Sequence, residues 1–460
     1  MRLWPLDNIK NRFRQLNQTF PIRLTLILIG IWLVLVPVYK HVLYPIGLDV
    51  PRIFPISVLY PGRFTAVNIP YLLLFLLLLG FAIWRLDRIK AFFLLLICIL
   101  IIITGNLIGG GYEAAFLRPF NDQSQYYYDT LTVPGWKDWL ATFNANQVNL
   151  SVHGRTHPPF AVLIHHLFLF PFNFNLNILA AGLSLISLST LPMMYLILKM
   201  YDIDERKLKL LMLLFAVIPA VNIYSVVSLD GVILAGSTMF LLGLVILLKK
   251  PASWLSGFLL MTIGFCFTNM LTFSALFLVG VGGLISLHEL IINKRAKLMI
   301  GMVLTLITFS VFLFVLAEYF QYNHLQAFSL ASRLESSGGF RLFTDPINYL
   351  LTRFEDISEL LFFLSFPLFA LFIKSKPYNF SFDRINLRES NILFIVGSIV
   401  IFLMFLTGAY RTGETARTCL FFYPFFLLQL TKIDDSIIKK SVMQVAIQTV
   451  IMQAVASYYW

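Results

Sequence analysis

The residues of this chain that could carry chemistry are concentrated in a few polar segments between long hydrocarbon stretches. One segment, SVHGRTHPPFAVLIHH at 151–166, contains four of the seven histidines together with an arginine and two prolines. Arginine presents a planar fork of donors that suits a phosphate, and histidine adds a donor whose charge depends on pH. His153, Arg155 and His157 therefore form a candidate phosphate-binding group.

A second polar segment, NDQSQYYYD at 121–129, places two carboxylates on either side of an aromatic run. Either Asp122 or Asp129 could act as a general base toward an acceptor hydroxyl. The run between them consists of three supporting tyrosines, Tyr126, Tyr127 and Tyr128. Tyrosine rings pack well on the CH surfaces of sugars, although a solvated loop with an interfacial aromatic belt explains the spacing equally well.

A third segment, AYRTGETARTCLFF at 409–422, contains Arg411 and Arg417 near the start of an apolar helix. Free backbone N–H groups and the helix dipole favour an anion there, so the two arginines are candidates for a phosphate clamp. Alternatively, Arg417 could simply form a local ion pair with Glu414. The two interpretations are compatible if Glu414 orients that arginine for a ligand. Asp230, on the outer end of a short connection, could face the same cavity or cap its own helix.

The sequence gives little support to a metal centre. Gly154 and the prolines break any helix that would bring His153 and His157 onto one face. His165 and His166 lie on a short apolar helix and are interpreted as satisfied interfacial residues. A divalent metal is therefore possible in principle but not indicated, and no cofactor is predicted.

The elements that hold these segments are predicted to be transmembrane helices. Of the 460 residues, 58% are hydrophobic and 13% are charged, and the mean hydropathy is +0.81. These values are typical of a polytopic membrane protein. Apolar runs long enough to cross about 30 Å of hydrocarbon predict an all-α bundle of about thirteen transmembrane helices. The runs cover residues 22–39, 69–84, 91–108, 176–199, 208–226, 231–248, 254–271, 273–290, 298–317, 357–374, 390–408, 417–431 and 441–459.

Basic residues are distributed unevenly over the predicted connections. With a cytoplasmic N-terminus, the short inner loops contain 24 of the 35 lysines and arginines, and such a bias fixes the orientation by the positive-inside rule. The long outer segments are 40–68, 109–175 and 318–356, so any chemistry is expected on the outer face. The net charge of +12 then reflects topology, and a nucleic-acid partner is not expected.

The chain is predicted to form a single membrane domain over residues 1–460. Its parts are a cytoplasmic N-terminal segment with two added spans (1–90), a core (91–431) with outer loops 109–175, 318–356 and 409–417, and a C-terminal span (432–460). The aromatic stretch around Trp136 and the short apolar helix after Pro159 predict juxtamembrane helices on the outer face.

The order of these elements over residues 91–431 resembles the GT-C superfamily of polytopic glycosyltransferases. Within it, the chain resembles a group of bacterial proteins, largely uncharacterised, that are related to the protein O-mannosyltransferase and aminoarabinose-transferase group. The similarity lies in the acidic first outer loop (NDQSQYYYD), the THPP box, the outer Asp of SLDG and the late RTGETAR loop. It implies a GT-C-like bundle and an inverting hexosyl- or pentosyltransferase in a bacterial inner or plasma membrane. The implied partners are membrane lipids, a polyprenyl-phosphate sugar donor and a glycan, lipid or protein acceptor.

The resemblance also implies roles for individual residues. Asp122 or Asp129 would be the base: Asp129 is closer to the aromatic run, whereas Asp122 better matches the usual position of the acid before the tyrosines. Residues implied to bind the donor phosphate or order its loop are Arg411, Arg417, His157, Arg155 and His153. The outer segments contain no DxD motif, which leaves a metal requirement open.

Two other classes of function remain open at this point. A lipid-linked oligosaccharide flippase or a polysaccharide-polymerase-like membrane protein would use the same basic residues to guide a phosphorylated lipid. A noncatalytic scaffold would tolerate their replacement. Ion-coupled transport is disfavoured, because the predicted spans contain almost no ionisable residues.

Overall fold

The computed structural model describes residues 21–48, 50, 53–56, 59–121, 124–336, 338–375, 389–408, 410 and 414–458. Over these residues the protein is nearly all α-helical. The helices are α1 (Ile22–Val38), α2 (Ile69–Trp84), α3 (Ala91–Ile108), α4 (Tyr126–Thr130), α5 (Trp136–Asn146), α6 (Phe160–Leu169), α7 (Leu176–Leu188), α8 (Thr190–Lys199), α9 (Glu205–Val217), α10 (Pro219–Tyr224), α11 (Leu229–Lys249), α12 (Trp254–Leu271), α13 (Leu276–Ile291), α14 (Lys297–Phe320), α15 (His324–Glu335), α16 (Arg341–Thr344), α17 (Pro346–Leu364), α18 (Phe366–Ser375), α19 (Glu389–Leu406), α20 (Thr415–Thr418), α21 (Tyr423–Gln429) and α22 (Asp435–Val455). A short antiparallel pair joins β1 (Tyr60–Pro61) to β2 (Ala456–Ser457).

Within the described residues, eight helical segments are long and apolar enough to cross a membrane. They are Ile22–Ile46, Ala66–Trp84, Ala91–Ile108, Leu176–Lys199, Leu229–Lys249, Trp254–Leu271, Phe273–Ile291 and Lys297–Phe320. A ninth span results if α17 and α18 are counted together, although they are bent by 100° around Ser365, whose φ is 113°. The chain is therefore a membrane protein with multiple spans, but fewer helices reach spanning length than the thirteen expected.

One predicted span is broken at Pro219, which cannot donate a backbone hydrogen bond. The break separates α9 from α10, and unpaired carbonyl groups are costly inside a membrane protein. Two side chains compensate for it. Asn222 Nδ2 donates to the Ala216 carbonyl over 2.9 Å, and Thr449 Oγ1 donates to the Val217 carbonyl over 2.5 Å. The hydropathy of the sequence predicts one continuous helix here, whereas the structure has two helices. Polar side chains donate hydrogen bonds to the carbonyl groups at the break between them.

The last predicted runs differ from simple spans in other ways. The run at 417–431 forms the short helices α20 and α21 with 3₁₀ turns after each. Helix α22 is long enough to span, but it contains two lysines and three glutamines, residues that face protein or water more readily than lipid. Helix α19 is apolar, and its described apolar part, Asn391–Leu406, is shorter than a full span.

The helices alternate in direction, so their connections fall at two opposite ends of the bundle. Arg206 pairs with Asp87 at 2.9 Å and Lys207 pairs with Asp435 at 3.6 Å, which brings three short connections together at one end. At the opposite end, β1 follows α1 and pairs with β2 after α22. We name this second end the site end: α3, α12, α14 and α19 finish there, and α11 and α13 begin there.

Helix α11 forms the centre of the bundle. In its most apolar stretch 94% of the residues are buried, compared with 11% in the span that includes α1. Glycines allow its backbone to approach α12: a Cβ at Gly243 would lie 2.3 Å from the Met261 nitrogen, and one at Gly264 would lie 2.4 Å from the Phe240 nitrogen. Small residues of this kind are a common basis of helix association in membranes. The first turn of this central helix carries Asp230.

Replacing Gly243 with alanine should destabilise the protein, because the added Cβ would meet backbone atoms of α12. We expect a loss of about 1–3 kcal/mol in the free energy of unfolding, measured by denaturation in mixed micelles. Gly283→Ala is the matched control, since a Cβ there would meet nothing within 4 Å. Equal stability of the two variants would contradict the close packing of α11 on α12.

Candidate functional site

A cavity of about 720 Å³ lies at the site end of the bundle, within the range of about 300–1,000 Å³ that is usual for ligand sites. Its described lining comes from stretches that are remote in sequence: 119–120, 125–126, 152–157, 165, 227–230, 272–276, 328–336, 404–408, 410 and 414–418. The polar segments at 121–129, 151–166 and 409–422 and the start of α11 all contribute to it. Three polar segments and the start of α11, which are far apart in sequence, therefore share one cavity.

Arg417 forms the basic centre of the described lining. Its Nη2 donates to Glu414 Oε2 at 2.5 Å, and its Nε lies 3.3 Å from Asp230 Oδ2. The exposed fractions of these side chains are only 12% for Arg417, 25% for Glu414 and 15% for Asp230. Removing charges from water costs free energy that an ion pair often does not recover, so stability alone is a weak reason for this arrangement.

Asp230 is free to face the cavity because another residue caps its helix. Ser228 is the N-cap of α11, and its Oγ accepts a hydrogen bond from the Gly231 nitrogen at 3.0 Å. The alternative interpretation of Asp230 as the helix cap is therefore wrong. Asp230 is the second residue of α11. Its carboxylate lies near Nε of Arg417, whereas Glu414 binds Nη2 of the same side chain.

Glu414 precedes α20 in a left-handed backbone conformation, with φ of 57°. Such conformations are uncommon for residues other than glycine, and they cluster at functional sites. Burial raises the pKa of Glu414; Arg417 offsets part of the effect, and Asp230 and Glu335 add to it. This carboxyl group therefore takes up a proton more readily than an exposed glutamate does.

His153 and His157 line the cavity on either side of the 3₁₀ turn Gly154–Thr156. Burial lowers the pKa of His153 to about 2, and Arg417 and His157 add to the effect. Burial also lowers the pKa of His157, although Asp230 offsets part of this. Both rings are neutral near pH 7, so they offer the cavity hydrogen bonds and no positive charge.

Tyr126 lies buried among histidine rings and also lines the cavity. Its ring centroid is 5.9 Å from that of His153, 5.4 Å from His157 and 5.2 Å from His165. The three histidine rings pack around the tyrosine ring. A ligand in the cavity would therefore contact the Tyr126 hydroxyl group more readily than the faces of the ring. Burial, followed by the charge of Asp230, raises the pKa of Tyr126 well above 10, which keeps that hydroxyl protonated.

The carboxylate of Asp129 is engaged in the loop that carries the two cavity histidines. Its Oδ1 accepts from the Ser151 nitrogen at 3.0 Å, and its Oδ2 accepts from Ser151 Oγ at 2.6 Å. A Cβ at Gly154 would lie 2.0 Å from the same Oδ2. Burial raises the pKa of Asp129, while the two bonds from Ser151 lower it in part. Asp129 lies outside the cavity lining and holds the loop behind it.

The other residues that the sequence predicted for the site do not contribute to the described cavity lining. Asp122 and Arg411 lie outside the described residues. Tyr128 donates to the Asn121 carbonyl at 3.2 Å, and Tyr127 packs against the hydrophobic core; neither contributes to the described lining. Arg155 is also absent from that lining, and its carbonyl accepts from Gln147 Nε2 at 2.9 Å.

Sequence reasoning missed several lining residues. His165, interpreted as a satisfied interfacial residue, does bond the Ala161 carbonyl at 2.7 Å, but it also lines the cavity. Glu335 and Ser332 come from the amphipathic helix α15, which covers one side of the cavity. The sequence indicated 318–356 only as a long outer segment, and nothing in its spacing singled out these two positions.

Replacing His153 with glutamine should make the fold more tolerant of acid. The folded-state pKa is about 2 and the ordinary value is 6.5, so between these values the unfolded chain binds a proton that the folded chain does not. The contribution of His153 to stability is therefore complete above pH 6.5 and decreases as the pH falls, by up to about 1.4 kcal/mol per pH unit. Unfolding free energies of both proteins from pH 7 to pH 4 measure this; identical pH slopes would contradict it.

Within the part of the chain that the structure describes, no group of three or more His, Cys, Asp or Glu side chains could hold a metal ion. Comparison of the chain with known protein families, with curated proteins and with solved structures gives no match. The cavity of a multi-spanning membrane protein, with an arginine held between two carboxylates, is therefore the basis for assigning a function.

Proposed function

We propose that the protein is a membrane glycosyltransferase of GT-C type, which moves a sugar from a polyprenyl-phosphate donor to an acceptor hydroxyl with inversion. The observation that carries the proposal is the composition of the cavity at the site end. One part of its lining is polar and centred on Arg417, and another part is apolar and includes Phe273, Leu276 and Met404. A polyprenyl-phosphate sugar has a matching composition: its phosphate and sugar are polar, and its hydrocarbon chain is apolar.

In the polar part, Arg417 binds the donor phosphate. Asp230 holds the Nε side of the guanidinium. The Nη2 group, which donates to Glu414 in this structure, exchanges that partner for the phosphate when the donor binds. The raised pKa of Glu414 makes this exchange less costly, since the displaced carboxyl group can be neutralised. As the sugar–oxygen bond breaks, negative charge develops on the departing phosphate, and a preorganised guanidinium stabilises it.

The acceptor hydroxyl must lose a proton as it attacks the sugar. A loop carboxylate takes this proton, and Asp122 remains the candidate from sequence. Neutral His153 and His157 and the protonated Tyr126 hydroxyl provide hydrogen bonds to the sugar or the phosphate. Because Asp129 is bonded to Ser151, its proposed role is to hold the histidine loop in place.

In the apolar part, the donor chain lies against residues at the ends of spans. Phe273 and Leu276 belong to the connection and first turn between α12 and α13, and Met404 lies in the last turn of α19. These positions are at the level where a headgroup meets the hydrocarbon region. The first isoprene units can therefore bind here while the phosphate reaches Arg417.

The proposed orientation puts this cavity on the outer face of a bacterial inner or plasma membrane, with a cytoplasmic N-terminus. The connections and adjoining helix ends opposite to the site end include Arg85, Arg206, Lys249 and Arg295. Short basic connections favour the cytoplasmic side. The donor sugar would then be transferred outside the cytoplasm.

The donor assignment is tested by mass spectrometry of lipids that copurify with gently solubilised protein. We expect a polyprenyl-phosphate hexose or pentose with the wild type and its loss from Arg417→Ala. Recovery of bulk phospholipid alone from both proteins would contradict the proposed donor class. A lipid-linked oligosaccharide in place of a monosaccharide donor would favour a flippase or polymerase.

A further inference from the structure

Helix α17 carries a row of polar residues that the proposed mechanism does not use. We name Tyr349, Arg353, Asp356 and Glu359 the polar stripe. Their spacing of four, three and three residues puts them on one helical face. Their exposed fractions are 3%, 8%, 0% and 1%, respectively. Ionisable groups buried this deeply in a membrane protein are costly and usually have a functional reason.

The first half of the polar stripe binds the end of α19 and the chain after it. Tyr349 donates from its hydroxyl to the Leu406 carbonyl at 2.6 Å. Arg353 donates through Nη1 to the Phe405 carbonyl and through Nη2 to the Tyr410 carbonyl, the latter at 2.8 Å. The Phe405 and Leu406 carbonyls lie in the last turn of α19, and the Tyr410 carbonyl lies in the chain after it. The bonds therefore join α17 to the end of α19 and to the segment that follows.

The second half of the polar stripe binds the first residue of α20. Asp356 Oδ1 accepts from Thr415 Oγ1 at 2.6 Å, and Glu359 Oε2 accepts from the Thr415 nitrogen at 2.8 Å. Arg353 Nη2 lies 3.0 Å from Asp356 Oδ2 and so links the two halves. Thr415 itself is fully buried.

We propose that the polar stripe positions Arg417 for phosphate recognition, an inference that rests on the proposed function. Thr415 lies directly after the strained residue Glu414 and two residues before Arg417. Fixing both the nitrogen and the hydroxyl of Thr415 fixes the start of α20, and therefore the direction in which Arg417 leaves it. The stripe residues act through this helix and do not line the cavity; they are positioning residues.

A merely structural role would not require this chemistry. Apolar residues of similar volume often stabilise a buried contact at least as well as ion pairs do. The stripe instead provides specific acceptors for one amide and one hydroxyl, which define a single conformation of the chain. The first-turn amide of a helix has no intrahelical acceptor, so protection of the Thr415 amide from solvent exchange depends on Glu359.

Hydrogen exchange of the Thr415 amide tests the positioning directly in the full-length protein. Glu359→Leu removes the acceptor, whereas Glu359→Gln keeps an acceptor oxygen in the same place. We expect exchange at least about tenfold faster in the leucine variant and near wild-type exchange in the glutamine variant. Unchanged exchange in Glu359→Leu would overturn the inference.

Thr415→Val and Thr415→Ser form a second matched pair, which applies even if Glu359→Leu does not fold. Valine removes the hydroxyl that binds Asp356, and serine keeps it. With undecaprenyl phosphate as the probe, we expect about tenfold weaker binding to the valine variant and near wild-type binding to the serine variant. Equal affinity of both variants with the wild type would overturn the positioning of Arg417.

The two measurements separate the inference from the function on which it rests. If exchange responds as expected but wild-type protein binds no undecaprenyl phosphate, the stripe does position the start of α20 and the proposed donor is wrong. If wild-type protein binds the probe and neither pair of variants changes exchange or affinity, the donor assignment stands and the positioning inference fails.

Discussion

Replacing Arg417 with alanine should lower the rate of sugar transfer by about 10²–10³-fold, the typical cost of removing one donor that stabilises developing negative charge. The guanidinium is the basic centre of the described cavity lining and is held by Asp230 and Glu414. The loss should appear in kcat/KM for the lipid donor. Release of free polyprenyl phosphate from a labelled donor is the measurement.

Two further variants separate geometry from charge. Arg417→Lys keeps a positive charge but cannot present two edges to Asp230 and a phosphate, so transfer should fall less than in Arg417→Ala but clearly below wild type. Arg333→Gln is the matched control, because Arg333 is an exposed residue of α15 that bonds Ser329 Oγ at 3.1 Å and does not line the cavity. Wild-type transfer by Arg417→Ala, or equal loss in Arg333→Gln, would contradict the assignment.

Replacing Asp129 with alanine should lower transfer by about 10–100-fold, because the loop carrying His153 and His157 loses both acceptor oxygens of its anchor and catalytic geometry is sensitive to shifts of about 1 Å. Asp129 accepts both bonds from Ser151. Ser151→Ala should therefore reduce transfer to a similar extent. Initial rates of donor consumption by the two variants and by the double variant measure the effect; the double variant should lose little more than either single one.

A base at Asp129 would behave differently. Loss of a general base typically costs about 10²–10⁴-fold, and it removes the acid limb of the pH–rate profile. Ser151→Ala would then leave most of the activity, since the carboxylate would still be present. That outcome would return Asp129 to the catalytic role that its spacing predicts.

Much of the architecture follows from hydropathy, because long apolar runs have few alternatives to helices in a membrane. The count of spans does not follow, since Pro219, Ser365 and the glutamines of α22 alter helices whose average composition stays apolar or nearly so. Their effect depends on partners far away in sequence. Asn222 and Thr449, which satisfy the carbonyls near Pro219, are separated by more than two hundred residues.

The site was predictable where local chemistry dominates. The pairing of Glu414 with Arg417 follows from their spacing, and the chemistry of the segment at 151–166 indicated His153 and His157, both of which line the cavity. Spacing could not show that burial would leave both histidines neutral. Nor could it show that Asp230 would meet Arg417, because that contact depends on how α11 packs in the bundle.

The most direct test of the proposed function is a transfer assay in proteoliposomes that contain purified protein, labelled polyprenyl-phosphate sugars and an acceptor fraction from the same envelope. The proposal predicts that wild-type protein releases free polyprenyl phosphate and labels the acceptor with inverted anomeric configuration, and that Arg417→Ala does neither at a comparable rate. Movement of intact lipid-linked sugar between leaflets without cleavage of the sugar–phosphate bond would contradict it.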